Sequence, residues 1–229
     1  MIFNFFIICV NSWGPIFHQI VASEFISEYL PNIKPEQRKY FILGSIYVDG
    51  LPKPKSHNIE EILRVLNTYE PHESNEWWFV LGFLLHMTAD ISGHIGYPLS
   101  FLPLRKPIHY IAELVSCSAI YHTRKPEFLP DDPLVSAVYE TFGGGSSRRF
   151  ALLYYVWRLL AKLPFYKFLG TIENDKCDKR LAMCNFERHI TTIKDLMWDS
   201  IGILQEGNHT HENLGYIVTQ DLKRFKCCT

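Results

Sequence analysis

The sequence predicts an all-α fold, and three features of it carry that prediction. Apolar residues recur at three- and four-residue steps along most of the chain. Prolines and cap-type residues punctuate those stripes at helix-length intervals. The alternation expected of half-buried strands is scarce throughout. With 47% hydrophobic residues among 229, the chain can bury a full core as one multi-helix domain over 13–229.

The first twelve residues read differently. Ile2 to Val10 is apolar except for Asn4, and Val10 and Ser12 stand at −3 and −1 from Trp13. That pattern fits a secretory signal peptide over 1–12, removed to leave Trp13 first, and places the protein in the secretory lumen or outside the cell. A buried first helix and a chain starting further upstream are the other two readings. Nine apolar residues are too few to span a bilayer, which takes about 20. Cysteine usage agrees with an oxidising compartment: Cys177 and Cys184 sit seven apart in a polar stretch, and Cys227 and Cys228 are adjacent.

From Trp13, the stripe Ile16, Ile20, Phe25, Ile26, Tyr29 and Leu30 predicts a helix ended by Pro31. A second helix is expected from Pro35 through Leu43, leading to Asp49 before Gly50, where the local reading is a turn aspartate. Ser56 is the expected N-cap of a third helix, and His57 beside it is either a ligand or solvated. A long apolar helix should begin at Glu76 and close between Gly93 and Pro98; another should start at Pro107. Further helical patterns cover 133–142, 150–169, 179–205 and 216–225. The segment 150–169 is twenty residues long and strongly apolar, but Arg158 and Lys162 would each cost about 2.5–3.5 kcal/mol at a bilayer centre. It is expected as a core helix with snorkelling cations, with rest on a lipid surface as the second reading.

The chemistry concentrates where the long helix ends. His86, Asp90 and His94 follow one another at four-residue steps, which keeps neighbours about 5–6 Å apart on one face. Eight residues overshoot two turns by roughly 80°, so His86 and Asp90 can share one ion while His94 turns toward another. A buried Asp90 without compensation would cost several kcal/mol, so a cation should lie against it. His109 and Glu113 repeat the four-residue step. With Trp13, His18, Asp49 and His57, these make nine candidates in order.

That ordered set resembles the trinuclear-zinc phosphodiesterase superfamily, which holds bacterial zinc-dependent phospholipase C, the catalytic domain of glycosylphosphatidylinositol-specific phospholipase D, and the single-strand-specific zinc nucleases. The resemblance covers residues 13–122. It implies three zinc ions. Trp13, through its amine and carbonyl, and His18 would hold the first, with Asp90 bridging to the second. Asp49, His57, His86 and Asp90 would hold the second, and His94, His109 and Glu113 the third. Asp49 matches the family's general base or orienter of the attacking water. Nine such residues supply enough donors for three ions with open positions. The implied reaction is hydrolysis of a phosphodiester by zinc-bound hydroxide.

The run from Phe83 to Gly96, with His86-Met87-Thr88-Ala89-Asp90 and His94 four on, looks most like the phospholipase D branch. The Trp-Gly opening with His18 five residues after Trp13 looks more like the nucleases, and Glu113 leans toward phospholipase C. The expected substrate is therefore a phospholipid or lipid anchor at a membrane surface, with single-stranded DNA or RNA as the alternative. Trp77, Trp78 and Tyr97 could stack bases or wet a lipid interface. A net charge of −1 provides no basic field for nucleic acid and tilts the choice to lipid.

Overall fold

In a computed structural model, the described residues are 14–52, 55, 57–96, 114, 117, 118, 121–163, 193–195, 197 and 198; for 91–96 only the backbone is described. Among them every regular element is helical and none is a strand, as the all-α prediction requires. The principal elements are α1 (Pro15–Tyr29), α2 (Pro35–Tyr47), a 3-10 turn (Val48–Gly50), α3 (Ile59–Leu66), α4 (Asn75–Gly96), α5 (Pro133–Thr141) and α6 (Ser147–Lys162). No helix among the described residues is long and apolar enough to cross a membrane. The signal peptide expected over 1–12, the helix expected from Pro107 to Glu113 and that over 216–225 lie outside the described residues, as do Cys177, Cys184, Cys227 and Cys228.

Helix α4 is the core of the molecule. Every residue from Trp77 to Asp90 is buried, which explains why its sequence shows no polar face. Its closest partner is α2, and glycine sets that approach. A Cβ at Gly44 would run into the carbonyl oxygen of Phe79. One at Gly82 would run into the carbonyl of Phe41 and lie 2.8 Å from Ser45 N and 3.0 Å from Gly44 Cα. The two backbones touch, which only paired glycines allow. Helix α1 packs on both, with Pro15 at its first position and Pro15–Ala22 buried without a break.

Several boundaries moved. Helix α2 runs on past Leu43 to Tyr47, because Ile46, Tyr47 and Val48 all find core partners. The cap of α3 is Asn58, whose Oδ1 accepts the Glu61 N–H at 3.3 Å; Ser56 lies outside the described residues. Helix α6 begins at Ser147 behind the Ser146 cap, before the Phe150 start that the apolar pattern gave. Trp77 and Trp78 are 6% and 4% exposed, with the Trp78 indole donating to the His72 carbonyl at 3.1 Å. They are core residues, available neither to bases nor to lipid.

Arg158 is a second correction. It does not snorkel: it is 6% exposed, and its guanidinium donates to Gln19 Oε1 (3.2 Å), the carbonyls of Glu127 (2.9 Å) and Pro126 (2.7 Å), and Tyr154 Oη (3.2 Å). Tyr154, Phe128 and Tyr121 present ring faces to it at 5.4–5.6 Å. Arg158 thus ties α6 and the irregular 126–128 segment to α1 next to His18. Lys162 is exposed.

The start of α5 carries an acid-sensitive contact. Asp132 caps the helix by accepting the Leu134 N–H at 3.1 Å and pairs with Lys39 at 2.5 Å. Burial pushes the Asp132 carboxyl up, but Lys39 and the Leu134 N–H outweigh it and hold it below the usual range. A depressed folded pKa gives stability that is complete above the unfolded value near 3.9 and lost as pH falls through the folded one. Asp132→Asn keeps a capping side chain and removes the pair, so it should cost about 0.5–1 kcal/mol at neutral pH. In urea titrations the gap from wild type should close below about pH 4.

Candidate metal centre

Four separate segments bring five of the nine candidates together. His18 comes from the buried half of α1, Asp49 from the 3-10 turn, His57 from the turn before α3, and His86 and Asp90 from successive turns of α4. The Asp90 carboxylate lies at their centre and divides them. Its Oδ1 is 3.2 Å from His18 Nε2, while its Oδ2 is 3.3 Å from both His57 Nε2 and His86 Nε2. Asp49 Oδ1 closes the second side, 3.6 Å from His86 Nε2 and 3.8 Å from His57 Nε2. Two groups, His18–His86–Asp90 and Asp49–His57–His86, each offer three ligand atoms within 4.8 Å of one another and could hold a metal ion.

The surroundings fit a cation. His86 Nδ1 donates to the Ser45 carbonyl at 2.9 Å, which fixes the tautomer and aims Nε2 at the carboxylates. Both ring nitrogens of His18, and Nε2 of His86, are buried without hydrogen-bond geometry to any partner. Native interiors leave few polar atoms so. Atoms of this kind, facing carboxylates at 3.2–3.6 Å, are what a shared metal would satisfy. The His18 and His86 rings stack with centroids 3.8 Å apart and 18° between planes, so two full charges there would repel strongly. Burial and the His86 charge together lower the His18 pKa. Burial also opposes charge on His86, but Asp90 and Asp49 overcome it and raise His86 to about 9. Asp90, pushed up by burial, is held well below its ordinary value by His86 and the other two imidazoles. The cluster has a strong preference for positive charge between the carboxylates.

Among the described residues of the centre, exposure is uneven. The side chains of His18, His86 and Asp90 are 1%, 0% and 6% exposed, whereas His57 and Asp49 reach 28% and 14%. The more exposed side is that of Asp49 and His57, at the two ends of the 49–57 segment.

That segment is held by a part of the chain in which the sequence showed little chemistry. Tyr139 of α5 donates its hydroxyl to the Tyr47 carbonyl, just before Asp49. Gly50 packs where any Cβ would strike Tyr139 Oη and come within 2.9 Å of Phe150 Cβ. Ser146 N–H reaches the Gly50 carbonyl at 3.5 Å, and Lys55 Nζ donates to the Phe142 carbonyl at 2.7 Å. The α5–α6 hairpin, turning through Gly143, Gly144 and Gly145 at positive φ, is thus the support of the Asp49 turn. Asp49 read locally as a turn residue; it is one, and the turn aims it into the cluster. Ser45 and Tyr139 carry no local pattern that marks them, because each acts on a ligand distant in sequence.

Trp13, His109 and Glu113 lie outside the described residues, as does the side chain of His94, so the amino-terminal donor expected beside His18 and the whole expected third group have no described geometry. A scan against protein-family models, a search of curated proteins and a search of solved structures each return no match to this chain.

Proposed function

We propose that the chain is a secreted, zinc-dependent phosphodiesterase of the phospholipase C/D type, acting on a phospholipid or lipid anchor. The observation that carries this reading is the position of Asp90, one oxygen toward His18 and the other toward His57 and His86. A carboxylate so placed is suited to bridge two ions, and two adjacent divalent ions suit hydrolysis of a phosphodiester better than a single structural ion does. Bound zinc would supply Lewis acidity at the phosphoryl oxygens and a water acidic enough to react near neutral pH.

The protein's own residues define the rest. His18 and Asp90, with Trp13 as mature first residue, would make the first group; Asp49, His57, His86 and Asp90 the second; His94, His109 and Glu113 the third. Asp49 sits at the more exposed side with its Oδ1 toward His57 and His86, suited to orient a water and accept its proton. Ser45 fixes His86, and Tyr139 fixes the Asp49 turn. The burial of Trp77 and Trp78 takes them from both substrate classes alike, and the net charge of −1, which provides no basic field for nucleic acid, favours lipid.

The test is hydrolysis of phosphatidylcholine, a lipid-anchored protein and single-stranded DNA, each with and without a chelator. Chelator-sensitive turnover of one of the lipid substrates is expected. Turnover of DNA alone would replace the lipid reading with the nuclease one, and no turnover of any would leave a binding protein. Tyr139→Phe should weaken zinc held at Asp49, His57 and His86 by roughly tenfold, as loss of an outer partner does. It should cost about 0.5–1.5 kcal/mol of stability for the hydrogen bond lost to the Tyr47 carbonyl. A competing-chelator titration measures the first and urea unfolding the second.

A further inference from the structure

The outward face of α6 is apolar and cationic together. Leu152, Tyr155 and Leu159 are between 43% and 54% exposed. At 100° per residue they fall within an arc of about 60°. Arg148 lies inside that arc at the first turn, and Lys162 about 20° beyond its edge at the last, both exposed. Leu163, 48% exposed, continues the face past the helix end. Phe128, 44% exposed, extends it sideways, stacked on Tyr154 at 5.7 Å and edge-on to Tyr155 at 6.2 Å. The helix contains Arg148, Arg149, Arg158 and Lys162 and no carboxylate. Glu127, exposed beside Phe128, adds one acidic group to the border.

The geometry points to this face as a docking surface for an anionic lipid membrane. Exposed leucine and tyrosine between cations, on a helix without acids, is the pattern of a helix that lies in the headgroup layer. Apolar side chains enter the acyl boundary while Arg148, Arg149 and Lys162 meet lipid phosphates and carboxylates. The opposite side of α6 is fixed in the core by Phe150, Leu153, Tyr154, Trp157 and Arg158, so the face is presented rigidly. The substrate part of this inference rests on the reading above. The start of α6 touches Gly50, next to Asp49, through the Ser146 cap and the buried Phe150, so one helix both supports the metal centre and presents the outward face.

The experiment separates docking from catalysis. The full chain is sedimented with vesicles of phosphatidylcholine, with and without phosphatidylserine, as wild type and as L152E/L159E. Hydrolysis of vesicle phospholipid and of soluble bis(p-nitrophenyl) phosphate is measured on both. Wild type should bind the anionic vesicles more tightly, and the variant should bind them roughly tenfold or more weakly. Vesicle turnover should fall in step, with hydrolysis of the soluble diester and the helical circular dichroism unchanged. Equal vesicle binding by the two proteins would overturn the inference. So would a wild-type dimer in light scattering that the variant converts to monomer, since the face would then belong to a second copy. Variant-sensitive binding without hydrolysis of either substrate upholds the docking face and overturns the phosphodiesterase reading alone.

Discussion

Asp90→Asn is expected to lose bound metal and to lower phosphodiester hydrolysis by roughly a thousandfold or more, beyond the loss for one electrostatic partner. The reason lies in the two directions of its carboxylate. Oδ1 faces His18 and Oδ2 faces His57 and His86, so neutralising it takes a member from the His18–His86–Asp90 group and the charge beside two imidazoles of the other. Asp49→Asn touches only the second group and should leave more metal behind. Asp90→Asn also removes the main source of negative charge holding His86 up near 9, and breaking such a buried pair costs about 3 kcal/mol or more. Metal analysis, hydrolysis and urea unfolding of the two variants measure these effects separately. An Asp90→Asn protein with full zinc content and full activity would sink the bridging assignment.

Gly82→Val is expected to destabilise the fold by about 3 kcal/mol or more, the upper range for overpacked sites. Its side chain would enter a space already taken by the Phe41 carbonyl, with Ser45 N and Gly44 Cα behind it. The atoms in the way are backbone, which cannot rotate aside, so α2 and α4 must separate. Separation carries the Ser45 carbonyl away from His86 Nδ1, now 2.9 Å distant, and frees a ring that figures in either candidate group. Gly82→Val should therefore lose metal affinity even below its unfolding midpoint. Leu152→Glu, on an exposed face, should leave the midpoint within about 0.5 kcal/mol of wild type. Chemical unfolding with and without added zinc distinguishes the two.

Much of the architecture was legible because it depends on local pattern. The stripe through Ile16, Ile20 and Phe25 and the stop at Pro31 give α1 almost residue for residue. The uninterrupted apolar run before His86 gives α4. The four-residue step from His86 to Asp90 is a property of one helix, and it places both side chains at the centre of the cluster. Convergence of His18, Asp49 and His57 on that pair was expected from the resemblance rather than from any local signal. Arg158 was misread because its partners, Gln19 and the Pro126 and Glu127 carbonyls, are supplied by the fold. Tyr139 went unnoticed because a tyrosine on the apolar side of a helix looks like core. The Gly44–Gly82 contact joins residues 38 positions apart, and neither glycine alone announces a crossing.

The most direct test of the account is the zinc content of the purified mature chain, measured with its zinc X-ray absorption spectrum. Two tightly held ions are expected, one on His18 and Asp90 and one on Asp49, His57, His86 and Asp90, with a third if His94, His109 and Glu113 complete the set. The spectrum should show nitrogen and oxygen neighbours near 2.0–2.2 Å and no sulfur. A chain that folds, takes up no stoichiometric zinc when offered it, and keeps its stability in chelator would contradict the account.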